Sequence, residues 1–242
     1  MINMICHSPH TYRKGLTPAE EEYLEAIFTC MKNSDQVVKT GKLANQLHVK
    51  APSVVQMLEK LKKKKLVYYG RHTGVKLTKK GHELAAKIVR RHNLAERLLA
   101  DVFGEELPKV HDDACKLEHA IDDELADKIE KTLGKPSTCP HGSPIPTTNG
   151  RVPRAHCTDL MNIDEGKECT ITTIPEEREA VQRLLSLNIL PKSRIKVVEK
   201  LPRGAILVQC GDTQVALSRG VASQILVSSK RRRARHRWGV GN

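Results

Sequence analysis

Apolar positions in the first third of the chain recur at the spacings of short helices and one hairpin. In "LTPAEEEYLEAIFTCM", Leu24, Ile27, Phe28 and Met31 fall at i, i+3, i+4 and i+7, one face of a helix. Thr17 followed by Glu20 makes a capping box, and Pro18 suits the first helical position. Glu22 and Glu25 lie off the stripe, where carboxylates are ordinarily solvated. "TGKLANQLHVKAPSVVQMLEKLKKKKL" reads as helix, turn, helix. Leu43, Ala44 and Leu47 form the first apolar face, and His48, Val49 and Lys50 make the turn. Pro52 opens the second helix, whose Val54 or Val55, Leu58 and Leu61 point inward. "LVYYGRHTGVKLT" follows as two β-prone runs around a Gly-bounded tip, a hairpin pattern.

The middle of the chain is helical again. "TKKGHELAAKIVRRHNLAERLLADVFG" reads as one long helix with His92 and Glu96 four apart on one face, a spacing common in surface pairs. "HDDACKLEHAIDDELADKIEKTLGKP" is expected to run helically to Leu133, with Leu117, Ile121, Leu125 and Ile129 buried and Gly134 and Pro136 as the stop. On such a helix His111, Cys115 and Glu118 share a face, with His119 at its edge. At about 1.5 Å per residue, the two imidazoles lie roughly 12 Å apart along the axis. Metal–ligand bonds are only about 2.0–2.3 Å long. One ion can hardly take all four residues, so the row points to two sites, each completed from elsewhere.

Periodicity vanishes over residues 134–166, where Pro and Gly cluster in a linker or ordered loop. Cys139 and His141 of "CPHG" are possible ligands there, but the tight context reads first as a structural turn, and His156–Cys157 is read as no site. Short strands then follow around one amphipathic helix, "EEREAVQRLLSLNI", in the pattern of a small β-barrel. The tail "KRRRARHRWGVGN" reads as a disordered basic arm.

Charge narrows the function. The formal net charge is +13, which favours a polyanionic partner, most simply nucleic acid. With few aromatics, stacking on single-stranded bases is a poor candidate for the main binding mode. The seven cysteines are scattered without a Cys-x-x-Cys pair, as in a reducing cytosol rather than a disulfide framework. No stretch reads as a signal peptide or a membrane span, so a cytoplasmic protein without a membrane partner is expected. On the helix-turn-helix, Ser53 and Gln56 face outward near the N-terminal end of the second helix, where base edges are read. Lys50, Ala51 and Pro52 flank them, Lys60 and Lys62–Lys65 can meet phosphates, and Arg71 and His72 lie at the tip of a wing.

These stretches resemble the diphtheria-toxin-repressor family of metal-activated transcriptional regulators. The likeness rests on "EYLEAIF", "KAPSVVQMLEKLKKKKLV", "RRHNLAERLL", "KVHDDACKLEH" and "CPHGSPIP", in the family's order and separations. The last part is similar to the SH3-like domain of the iron-regulator branch and of ferrous-iron transport accessory proteins. The resemblance implies a mainly α protein with small β parts. A winged helix-turn-helix domain is expected over 1–78 and a helical metal-binding and dimerisation domain over 79–150. A linker over 151–166, an SH3-like β-barrel over 167–229 and the basic tail over 230–242 complete the chain.

The resemblance also implies two metal sites per subunit. One takes His92, Glu96 and His111, with Glu177 as a contribution from the barrel and Ala180 where the family has a Gln. The other takes Cys115, Glu118, His119 and Glu22. An acidic residue at 22 is the manganese-branch choice, whereas Cys115 belongs to the iron branch; a thiolate puts Fe²⁺ first and Mn²⁺ second. The implied function is a homodimeric, metal-activated repressor of metal-homeostasis genes, bound to a double-stranded operator, with no small organic substrate. A manganese-responsive regulator, a metalloenzyme and an iron-transport accessory protein are the competing readings. No general base, nucleophile or substrate loop accompanies the ligands, which argues against an enzyme. The helix-turn-helix argues against the accessory protein.

Overall fold

A computed structural model describes residues 15–31, 36–153 and 157–228; the expected basic tail lies outside the described residues. The chain divides into two compact units. The first comprises Met1–His92, Leu117–Ile129 and Ile145–Val152, and the second Asn93–Lys116, Glu130–Pro144 and Pro153–Asn242. Among the described residues, no helix is long and apolar enough to cross a membrane.

The first unit begins with α1, Pro18–Cys30. Its capping box is formed: Glu20 N–H donates to Thr17 Oγ1 at 3.3 Å, and Thr17 N–H donates to the Glu20 carboxylate at 2.7 Å. Helices α2, Thr40–Gln46, and α3, Ala51–Lys63, follow. His48 makes the turn between them at φ 51°, and Val49 N–H returns to Ala44 O at 3.0 Å. Strands β1, Val67–Gly70, and β2, Gly74–Leu77, pair antiparallel from Val67↔Leu77 to Gly70↔Gly74. Gly74 sits at φ +100°, where a Cβ would come within 2.5 Å of Val38 O, so a side chain is excluded on two counts. Leu24, Ile27, Leu43, Val54, Leu58, Leu61 and Val75 make the core of this unit.

Helix α4, Lys79–Asp101, has the expected length. The next helix does not. The single run expected to Leu133 is two helices, α5 at Leu107–Leu117 and α6 at Asp123–Thr132. Asp122 is the reason: its carboxylate accepts from Leu125 N–H at 2.6 Å and its carbonyl from Ala126 N–H at 2.8 Å. A capping Asp competes with helix continuation and here restarts the helix in a new phase. Ala126 is therefore buried while Leu125, expected inside, is 43% exposed. Glu118 and His119 lie in the turn, not on α5.

The second unit contains a six-stranded sheet. Its strands are β3 (Thr158–Asp159), β4 (Glu168–Thr173), β5 (Arg194–Lys200), β6 (Ile206–Cys210), β7 (Thr213–Leu217) and β8 (Leu226–Ser228). Their order is β3-β8-β4-β5-β6-β7, antiparallel throughout. Register shifts at Ile171/Thr173 and Val197/Glu199 bend the sheet. No ladder joins β3 to β7 among the described residues, so the expected barrel is an open sheet in its hydrogen bonding. Helix α7, Arg178–Ser186, packs Leu184 into a core with Leu160, Ile171, Ile195, Val197, Val208 and Val227. The short α8, Arg219–Ala222, precedes β8.

Candidate metal centres and nucleic-acid interface

Each unit gathers its own group of metal-type ligands. In the first, Glu25 of α1, His92 of α4 and Glu118 of the turn after α5 bring one donor atom each within 4.8 Å of one another. His92 Nδ1 stands 2.6 Å from Glu118 Oε2 and 3.9 Å from Glu25 Oε1. His92 is 3% exposed and Glu118 2%, so a pair of residue types normally found at the surface is buried here. Beside them His119 Nδ1 lies 2.9 Å from Glu21 Oε2, and Arg91 Nη2 lies 3.2 Å from Glu21 Oε1.

The electrostatics follow from these contacts. Burial alone would raise the Glu21 carboxyl, but the His119 hydrogen bond and the Arg91 charge outweigh it and hold its pKa below the usual value. The same hydrogen bond raises His119 against the opposing effect of burial, helped by the charges of Glu118, Glu21 and Glu22. Glu22 itself is exposed. Glu25, one helical turn further on, is the α1 carboxylate that stands with His92 and Glu118.

In the second unit Glu96, Cys139, His141 and Glu176 offer donor atoms within the same 4.8 Å limit. The "CPHG" turn is pinned by backbone contacts on two sides. Toward α4, Arg97 Nε donates to Thr138 O at 2.7 Å and Asn93 Nδ2 to Pro144 O at 3.0 Å. Toward the sheet, Ile174 N–H donates to His141 O at 3.0 Å and Thr173 Oγ1 to Gly142 O at 3.3 Å. At Gly142, φ +92°, a Cβ would stand 1.9 Å from Thr172 O, so only glycine allows this approach.

His141 is fully buried, and neither ring nitrogen makes a hydrogen bond among the described residues; Nδ1 lies 3.1 Å from Glu96 Oε1. A buried imidazole among two carboxylates and a thiol, with no hydrogen bond of its own, fits a cation better than an empty polar pocket. Burial, with the charges of Glu96 and Glu176, pushes the Cys139 thiol well above its usual pKa. His111 of α5 stands 3.4 Å from Glu96, 3.6 Å from Glu176 and 3.7 Å from Cys115 Sγ. Burial would lower its pKa, yet the bonds to Cys115 and Glu96 and the Glu176 charge carry it up to about 10.

The ligands expected from sequence are thus distributed as follows. Glu118 and His119 come together with His92, and Glu96 comes together with His111, beside which Cys115 lies. Glu177 is exposed as the N-cap of α7, and its neighbour Glu176 is the carboxylate that joins Glu96. Glu25, Cys139, His141 and Glu176 were not in the expected sets. Their only signals were Glu21–Glu25 at i, i+4 and a Cys-x-His in a Pro/Gly turn, neither of them distinctive.

On the helix-turn-helix, Lys50, Ala51, Pro52, Ser53 and Gln56 are exposed along the first turns of α3, and Arg71 is exposed at the hairpin tip. Lys60 and Lys64 are not free for phosphates: their Nζ atoms lie 3.3 and 2.8 Å from the fully buried Glu20.

Comparison with known proteins matches three successive segments of the chain to family models. Residues 15–75 match the iron-dependent repressor N-terminal DNA-binding domain family, 78–147 its metal-binding and dimerisation domain, and 158–229 the FeoA domain. The chain is 28% identical over 226 residues to the iron-dependent repressor IdeR of Mycobacterium tuberculosis, covering 88% of this chain and 97% of that one. Its identity to the diphtheria toxin repressor of Corynebacterium diphtheriae is 29% over 199 residues, or 77% of this chain and 87% of that one. A solved manganese-dependent transcriptional repressor in complex with manganese superposes at a TM-score of 0.77, with 32% identity, over 87% of this chain and 99% of that one.

Proposed function

Since the chain belongs to the diphtheria-toxin-repressor family of metal-dependent, DNA-binding transcriptional repressors, which are not enzymes, we propose that it is a cytoplasmic, homodimeric repressor of metal-homeostasis genes, activated by Mn(II) or Fe(II). The Glu25–His92–Glu118 group, with His92 and Glu118 buried and Glu25 partly so, carries this reading. It brings a carboxylate of α1, in the winged-helix part of the chain, to an imidazole of α4. Bound there, a divalent cation supplies the positive charge that the buried Glu118 and the partly buried Glu25 carboxylates lack. Glu25 and His92 then tie α1 to α4. Glu20, on the same helix, holds α3 through Lys60 and Lys64, so order at the ligands reaches the reading helix. In a dimer, two such helices enter successive major grooves only when about 34 Å apart. Holding that spacing couples metal to DNA, and DNA tightens metal binding by the same factor. Val102 and Phe103, exposed apolar side chains just after the end of α4, support a second copy as partner.

Carboxylate and imidazole donors make the first group hard, which favours Mn(II). The thiols of Cys115 and Cys139 favour Fe(II) and are the observation behind that second reading. The experiment is an anaerobic titration of the metal-free protein with each ion, following binding to DNA upstream of its own gene. His92→Ala and Glu118→Ala should each abolish metal activation. Full activation in both would overturn the assignment.

A further inference from the structure

The lysines of the winged helix fall into two sets. Lys60 and Lys64 are engaged by Glu20. Lys62, Lys65, Lys79 and Lys80 are exposed, and no acidic residue among the described ones pairs with them. These four line an open groove of about 630 Å³, together with Tyr68. Tyr68 is 64% exposed, on the outer face of β1, directly across from Lys76 of β2. It is a large aromatic ring left in solvent within a ring of ammonium groups.

The place of this groove separates it from the operator-facing surface. Helix α3 has 13 residues, so it is about 20 Å long. Ser53 stands near one end of it and Gln56 toward its middle, whereas Lys62 and Lys65 lie at and just past the other end. Each hairpin strand has four residues, about 13 Å. Arg71 and His72 stand at its tip, and Lys79 and Lys80 follow its base. Both elements that approach an operator carry this groove at their far ends. We propose that the groove binds the phosphate backbone of a second DNA duplex, so that a protein seated on one duplex captures another.

Lysine suits this role, because an ammonium on a flexible stem is a point charge for phosphate and carries no base selectivity. The exposed Tyr68 ring packs against sugar and adds contact without sequence preference. An acidic protein segment would meet the same charge. It would also need pockets for side chains, and Tyr68 is the only large exposed apolar group on the groove among the described residues.

The test uses the full chain with Mn(II). DNA from upstream of its gene is immobilised and saturated with protein, unbound protein is washed away, and a fluorescent random-sequence duplex is added. Wild type should retain the second duplex. Lys79→Ala/Lys80→Ala should lose that capture roughly tenfold or more, and lower the salt slope by about 0.9 per lysine. Its affinity for the first duplex should be unchanged. Tyr68→Ala should lose less, and Lys79→Arg/Lys80→Arg should restore capture. The proposal fails if wild type captures nothing. It fails if the double variant weakens both duplexes alike, since the groove is then part of the operator face. Capture that survives in the double variant comes from the recognition helix of another copy and also overturns it. So does capture that occurs only with poly-glutamate and not with DNA.

Discussion

The two ligand groups are built from different chemistry. Glu25, His92 and Glu118 offer only carboxylate and imidazole, with a charged fringe in which Glu21 pairs with both His119 and Arg91. Glu96, Cys139, His141 and Glu176 include a buried thiol and an imidazole that makes no hydrogen bond among the described residues. The first group depends on α1, whose other residues hold the reading helix. The second depends on a turn pinned between α4 and the end of β4. Two sites in one chain can thus differ in the ions they prefer and in what their occupation moves. On the proposed function, filling the first would switch DNA binding, and filling the second would hold a loop against a sheet.

That contrast can be broken most directly at its imidazoles. His92→Ala should lower metal-activated operator affinity about 5–150-fold, the range of a typical allosteric coupling. His141→Ala should remove one bound ion per chain and change operator affinity far less. Operator titrations beside metal counting by mass spectrometry measure both. Equal losses of activation would show that the groups act as one.

A smaller effect should appear at the sulfur. Cys139→Ser should keep two ions but turn the second group toward harder ones, and abolish the thiolate-to-metal absorption of the Co(II)-loaded protein. Because the Cys139 thiol is protonated at neutral pH without a cation, filling the second group should release a proton. Its affinity should therefore rise with pH, as read by calorimetry in buffers of different ionisation enthalpy. No change in the Co(II) spectrum would remove Cys139 from the ligands.

The smallest effect concerns neither group but the helix that serves the first. The Glu20 carboxyl is lowered despite burial, because Lys64, the Thr17 N–H and Lys60 hold its charged form. Its contribution to stability is present above the unfolded carboxylate value near 4.3 and is lost as pH falls through the lower folded value. Glu20→Gln should cost about 1–2 kcal/mol at neutral pH and flatten the acid side of the melting curve. Metal stoichiometry should stay the same. An unaltered acid limb would show that Glu20 does not anchor α3.

Local pattern carried a large part of this molecule. The capping box at Thr17, the helix-turn-helix, the Gly-bounded hairpin and the long α4 were all legible, because period and capping are properties of neighbouring residues. The break at Asp122 was not, since an apolar stripe runs on across it and only the capping geometry reveals the new phase. The donor types were legible too: His111, Cys115, Glu118 and His119 stand out by spacing, whereas His92 and Glu96 enter only through the family resemblance. What tertiary structure alone decided was which carboxylates join them. Glu22 and Glu25 lie on the same helix within one turn, and Glu176 and Glu177 are adjacent. One member of each pair faces a buried imidazole, and the other faces water. That choice, like the recruitment of Cys139 and His141 from a turn, depends on how distant segments pack. Ligand sites assembled across three or four elements are therefore settled by packing, while the elements themselves are settled by sequence.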